Sequence, residues 1–167
     1  KAMAAGEPVR IRSPHAYRPW QHVLQALSGY LTLAARLLTS DDATYQSGWN
    51  IGPAAGNELP VRDIVELFLD EWGEGSWVDV SNPDDPPEAN ILRLAIDKAI
   101  WQLDWRPGWD VTETLKQTVA WYRAYHEDAT DMRAVGLQQI EKYESATGWS
   151  PTSVMGASSH REIESTA

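Results

Sequence analysis

The 167-residue chain carries 24 acidic against 14 basic side chains, a net charge of −10, with 43% hydrophobic residues and no cysteine. That length suits one domain with a modest core, and the charge excludes a general nucleic-acid binder, which needs a basic face to release counterions. The lack of thiols excludes a disulfide framework and a thiolate metal site. No apolar run is long enough to span a bilayer and no signal-peptide core opens the sequence, so a cytoplasmic location is the expectation.

Residues 1–6 read as the end of a helix stopped at Gly6. Pro8 to Arg12 alternates apolar and charged residues, the pattern of a short half-buried strand. From Ser13 to Trp20, Pro14 and Pro19 fix their own φ angles and push the residues before them toward extended geometry. The segment is therefore ordered and non-helical, and it sets Arg18 directly before Pro19. An amphipathic helix follows over 21–38, with Val23, Leu27, Tyr30, Leu31, Ala34, Leu37 and Leu38 on one face.

Gly48 to Pro53 reads as a short buried strand entering a tight turn. A second helix carries Val61, Ile64, Val65, Phe68 and Trp72 on one stripe and closes at Gly73. Ser76 to Val80 alternates as a strand should. Residues 82–87 are acidic and proline-rich, hence a loop, and Ile91 to Ile96 reads as a strand. Asp97 is placed to cap a short helix to Leu103, and Asp110 a long helix containing Val111, Leu115, Val119 and Tyr122. A last helix spans about 131–143. Beyond Ser145 the chain turns rich in Ser, Thr, Gly and Ala. The expected organisation is thus a domain over 1–144, truncated on its amino-terminal side, with a disordered tail over 145–167. The fold class is α/β, with helices dominating a few short strands.

Charge is unevenly placed. No carboxylate lies between Glu7 and Asp41, while that interval holds Arg10, Arg12, Arg18 and Arg36 with His15 and His22. A locally basic segment in an acidic protein suits a small anion, although solvated helix and strand faces explain such runs equally well. Other chemistry is absent from the residue pattern. The glycine-dense stretch 48–56 has the wrong spacing for a dinucleotide loop, and Pro53 removes an amide from it. None of the four lysines stands four residues after a tyrosine, the spacing that lowers a catalytic phenol's pKa. The four histidines show no metal-ligand spacing.

The segment Ile11-Arg12-Ser13-Pro14-His15-Ala16-Tyr17-Arg18-Pro19-Trp20-Gln21-His22-Val23-Leu24, followed by Leu27-Ser28-Gly29-Tyr30-Leu31, resembles the signature of CDP-glucose 4,6-dehydratases. These are extended short-chain dehydrogenase/reductases of the NAD-dependent epimerase/dehydratase group. Trp49 to Pro53, Pro86 to Leu94 with Lys98-Ala99, Leu103 to Pro107 and Thr118 to Tyr122 are similar to further blocks of that family. The resemblance covers about residues 2–144. It departs at Ser13, Pro87, Asn90, Ile91 and Ala95, where the family often has Asn, His, His, Tyr and Asp.

The resemblance implies a carboxy-terminal sugar-nucleotide-binding part whose Rossmann half, with NAD and the catalytic Tyr and Lys, lies elsewhere. The chain alone would then bind no NAD and would be inactive. The parent reaction would convert CDP-glucose to CDP-4-keto-6-deoxyglucose for surface-polysaccharide sugars, in a homodimer or larger assembly. Arg18 takes the place of the family arginine that approaches the nucleotide diphosphate. His15, Trp20, Asn50, Glu88 and Asn90 are the further expected substrate contacts, with no catalytic or metal residue on this chain. Two other readings stand beside this one: a free-standing nucleotide-binding or interaction module, and a piece of another sugar-nucleotide epimerase or dehydratase.

Overall fold

The computed structural model describes residues 1–86, 89–127 and 131–156. Gly6, at φ 68°, closes a single 3-10 turn over Met3–Ala5. Strand β1, Val9–Ile11, then pairs in parallel with β4, Trp77–Asp79, bringing Arg10 opposite Val78. Strand β2, Tyr17–Pro19, pairs antiparallel with β3, Glu58–Pro60, with Arg18 opposite Leu59. Helix α2, Val61–Trp72, has no side-chain cap because proline occupies its N-cap position. Its orphan first-turn amides are satisfied instead by the bend before β2: Val61 donates to the Ala16 carbonyl and Arg62 to that of Pro14, both at 3.0 Å. The proline-bracketed segment thus serves as the cap of a helix about 45 residues downstream.

The remaining helices follow their caps. Helix α4, Val111–His126, begins at Asp110, whose carboxylate accepts from the Glu113 amide. Helix α5, Met132–Thr147, begins at Asp131, which accepts from the amides of Arg133 and Ala134. Helix α3, Asp97–Gln102, departs from expectation: Ile96 is its N-cap, and Asp97 is its first residue with no capping bond. Two expected strands also fail to form. Residues 48–53 are irregular, and of 91–96 only Ile91 makes an isolated bridge, to Tyr17. The Gly48, Ile51 and Ala95 carbonyls accept from the side chains of Lys98, Gln21 and Asn50, while the Leu92 amide donates to the Tyr17 carbonyl.

Helix α1, Val23–Thr39, is turned the other way from its apolar pattern. It buries Gln25, Ser28, Gly29, Thr32 and Ala35, while Val23 is 62%, Tyr30 58% and Leu38 81% exposed. Small residues allow neighbours to approach closely. A β-carbon added at Gly29 would stand 2.5 Å from Ile51 Cγ2. Ser28 and Thr32 receive aromatic donors. The Ser28 hydroxyl donates to the Gln25 carbonyl at 2.8 Å and receives Trp105 Nε1 at 2.9 Å. A hydroxyl has one proton to give and two lone pairs, so the 3.0 Å contact with the Tyr143 hydroxyl is donated by the tyrosine. Around this hub lies the core cluster of Ile51, Ala99, Leu103 and Trp105, lined by Leu33, Tyr45 and Trp49.

The 145–167 tail expected to be disordered is ordered as far as residue 156. Helix α5 runs to Thr147 and ends at Gly148, φ 69°. Trp149 Nε1 then donates to Thr32 at 2.9 Å, and helix α6, Pro151–Gly156, lies against α1 with Val154 buried. Composition alone reads this stretch as solvent-seeking. Two large side chains in a polar run, Trp149 and Val154, are sufficient to anchor it. Residues 157–167 lie outside the described residues. Among the described residues, no helix is long and apolar enough to cross a membrane.

Candidate functional site

Arg18 lies at the centre of β2, between a proline and the segment that follows the acidic loop. Its Nη1 donates to the carbonyls of Tyr17 and Ala89, each at 2.9 Å. The backbone repeats the link: the Tyr17 amide donates to the Asn90 carbonyl at 2.7 Å, and the Leu92 amide to the Tyr17 carbonyl at 3.2 Å. Asn50 Nδ2 ties the far end of the same ribbon through the Ala95 carbonyl at 3.1 Å. Arg18, Asn90 and Asn50 are thereby brought onto one segment, 89–95. Asn50 and Asn90 are exposed, and Arg18 is half-buried. Glu88 lies outside the described residues.

The other expected contacts are placed differently. Trp20 is half-buried and gives its indole N–H to the Leu59 carbonyl at 2.9 Å, so it braces β3. His15 is exposed in the bend between β1 and β2. It contributes in a minor way to holding the Asp79 carboxyl below its usual range, an effect due chiefly to the Ser81 hydroxyl and then to the Ser81 amide.

Two positioning residues escaped the reading from sequence. Gln21 Nε2 donates to the Ile51 carbonyl at 3.1 Å. Lys98 Nζ donates to Ser47 Oγ at 2.7 Å and the Gly48 carbonyl at 2.9 Å, with its ammonium 4.2 Å from the Trp49 ring centroid. Together they hold the 47–52 loop from both sides. The signal for Lys98 was its place in the Lys98-Ala99 block, which carries no role by itself.

His22 closes the segment as the N-cap of α1. Its Nδ1 accepts from the Leu24 amide at 3.2 Å, and its ring meets that of Trp109 edge-on, centroids 4.9 Å apart. Burial lowers its pKa from 6.5 to about 4. A ring that accepts at Nδ1 and stays neutral carries its proton on Nε2. The linkage sign follows. Between pH 6.5 and about 4 the unfolded chain binds a proton that the native chain refuses, so stability is full above 6.5 and falls as the pH is lowered. The slope is at most about 1.4 kcal/mol per pH unit. Melting curves of wild type should therefore drop between pH 7 and 5, and those of His22→Gln should be flatter there. Equal slopes would show that His22 does not control this window. Asp42 and Glu113, whose carboxyls are also held low, lose their contributions at lower pH.

The glycine-dense stretch 48–56 does not open a helix. Gly52 is needed there for packing, since a β-carbon would meet Leu94 at 3.0 Å.

No family model matches the chain. Over 142 residues, 84% of this chain, it is 41% identical to the CDP-glucose 4,6-dehydratase of Salmonella typhimurium. The chain is similar to a sugar-nucleotide 4,6-dehydratase over that span. A dTDP-glucose 4,6-dehydratase of Streptomyces antibioticus is 40% identical over 70 residues, 41% of this chain and 20% of that enzyme. The chain spans 39% of the length of the Salmonella enzyme. Its mixed α/β fold, mostly helical with short strands, accords with a portion of such an enzyme.

Proposed function

We propose that the chain forms the carboxy-terminal, sugar-nucleotide-binding part of an NAD-dependent CDP-glucose 4,6-dehydratase and that Arg18 binds the substrate's diphosphate. The observation that carries this reading is the anchoring of Arg18. Its guanidinium is tied to the Tyr17 and Ala89 carbonyls, on a strand paired with β3 and next to a fixed proline. A planar guanidinium matches phosphate oxygens with parallel N–H bonds. Pre-positioning reduces the entropy lost when the anion arrives. Asn50 and Asn90, on the same ribbon, are the groups that would meet the sugar or base. NAD supplies the redox chemistry in such an enzyme, and the reading places it with the catalytic Tyr and Lys in the rest of the enzyme.

The exposed stripe of α1 supports the same reading. Val23, Leu27, Tyr30, Leu31, Leu37 and Leu38 are each 45% or more exposed along one helix face. Contiguous apolar surface of this kind marks an interaction site, and the rest of the enzyme is the covering partner.

Titration calorimetry tests the site. CDP-glucose and CDP should bind the chain, and Arg18→Ala should weaken both at least tenfold, because a charge-assisted bond contributes about 1.5–3 kcal/mol. Unchanged affinity in Arg18→Ala would refute the assignment. Incubation with NAD and CDP-glucose should give no keto-sugar, and turnover by this chain alone would refute the division of labour.

A further inference from the structure

A second pocket lies away from Arg18, between the carboxy-terminal half of α1, the turn at 103–106 and the 147–154 segment. Its volume is about 280 Å³, and its walls include Arg36, Asp104, Trp105, Arg106, Trp149 and Ser153. Arg36 Nε is buried and has no hydrogen-bond partner among the described residues. A buried donor of this kind, left unpaired, costs on the order of 1–3 kcal/mol, more when charged, and native proteins seldom retain one without a use. Arg106, a second cationic residue, also lines the pocket. Its guanidinium carbon lies 5.8 Å from the centroid of the Trp101 ring, which is largely exposed. Two cations around one cavity stand out in a chain of net charge −10.

We propose that this pocket binds a phosphate monoester carrying hydroxyl groups, the chemistry of a sugar phosphate. The Arg36 and Arg106 guanidiniums take the oxyanion, because both present fixed N–H forks. Asp104 shares the wall, held at φ 55° by the turn. A carboxylate there repels a bare anion but accepts from a sugar hydroxyl, which selects the ester over free phosphate. The Trp149 ring offers a flat wall for the sugar. The carboxy-terminal carbonyls of α1 lie near Arg36 and offset part of its charge. The expected affinity is therefore modest, with Kd of about a millimolar.

Titrating the full chain with inorganic phosphate and with ribose 5-phosphate, read by tryptophan fluorescence and calorimetry, tests this. Trp105 and Trp149 line the pocket and report its occupancy. The ester should bind several-fold tighter than phosphate. Arg36→Met should abolish the response. Arg106→Gln alters an exposed side chain that the core does not need, and should weaken binding at least tenfold in a normally folded protein. Arg18→Ala should leave the titration unchanged, which separates this pocket from the proposed diphosphate site. An absent response in wild type, an unaltered one in Arg106→Gln, or one lost in Arg18→Ala would each overturn the proposal.

Discussion

Replacing Trp105 with alanine is expected to remove about 3–5 kcal/mol of stability, a drop of roughly 10 °C or more in melting temperature for a chain of this size. Trp105 is 2% exposed and sits in the core cluster with Ile51, Ala99 and Leu103. Its indole N–H is also one of the two donors that saturate Ser28. The two contributions separate experimentally. Trp105→Phe keeps most of the apolar area but loses the N–H and part of the ring. Ser28→Ala strands both the Trp105 and the Tyr143 donors, at about 1–3 kcal/mol for each buried group left unpaired. The Ser28→Ala/Trp105→Phe pair should therefore cost less than the sum of the single changes. Strict additivity in chemical denaturation would show that the hub carries no shared energy.

Gly29→Ala should cost about 1–3 kcal/mol, although alanine is the better helix former. On an open helix face that change would be stabilising, so the sign alone is diagnostic. The added carbon would meet Ile51 Cγ2 at 2.5 Å, Cδ1 at 3.0 Å and Cγ1 at 3.1 Å. Ile51 is buried and cannot swing away without disturbing the core cluster. The same push reaches the 47–52 loop, whose Asn50 holds Ala95. Gly29→Ala should thus also loosen nucleotide binding, and Ile51→Ala, which removes all three contacting carbons, should cost less in the Gly29→Ala chain than in the wild type. A neutral or stabilising Gly29→Ala would contradict the close approach of α1 to that loop.

Some helix ends were legible in the sequence, although Asp97, read as a cap, makes no capping bond. Asp110 and Asp131 cap α4 and α5, and Gly73 ends α2 at φ 90°. The orientation of α1 was not legible. Its leucines and tyrosines count as core by composition, yet its buried face is Gln25, Ser28 and Thr32. That face becomes intelligible only once Trp105, Tyr143 and Trp149 are seen to deliver their donors to it. Long-range pairing was equally hidden. Nothing local in Val9–Ile11 specifies Trp77–Asp79 as its neighbour. Arg18 was singled out through its proline setting and its family pattern. That Trp20 braces β3 rather than projecting from it depends on a carbonyl 39 residues away.

The most direct measurement is a crystal structure of the chain soaked with CDP-glucose. The account predicts diphosphate oxygens within about 2.9 Å of the Arg18 guanidinium, with Asn50 or Asn90 facing the sugar or the base. A nucleotide bound elsewhere, with the Arg18 side chain still folded onto the Ala89 carbonyl and touching no ligand atom, would contradict it.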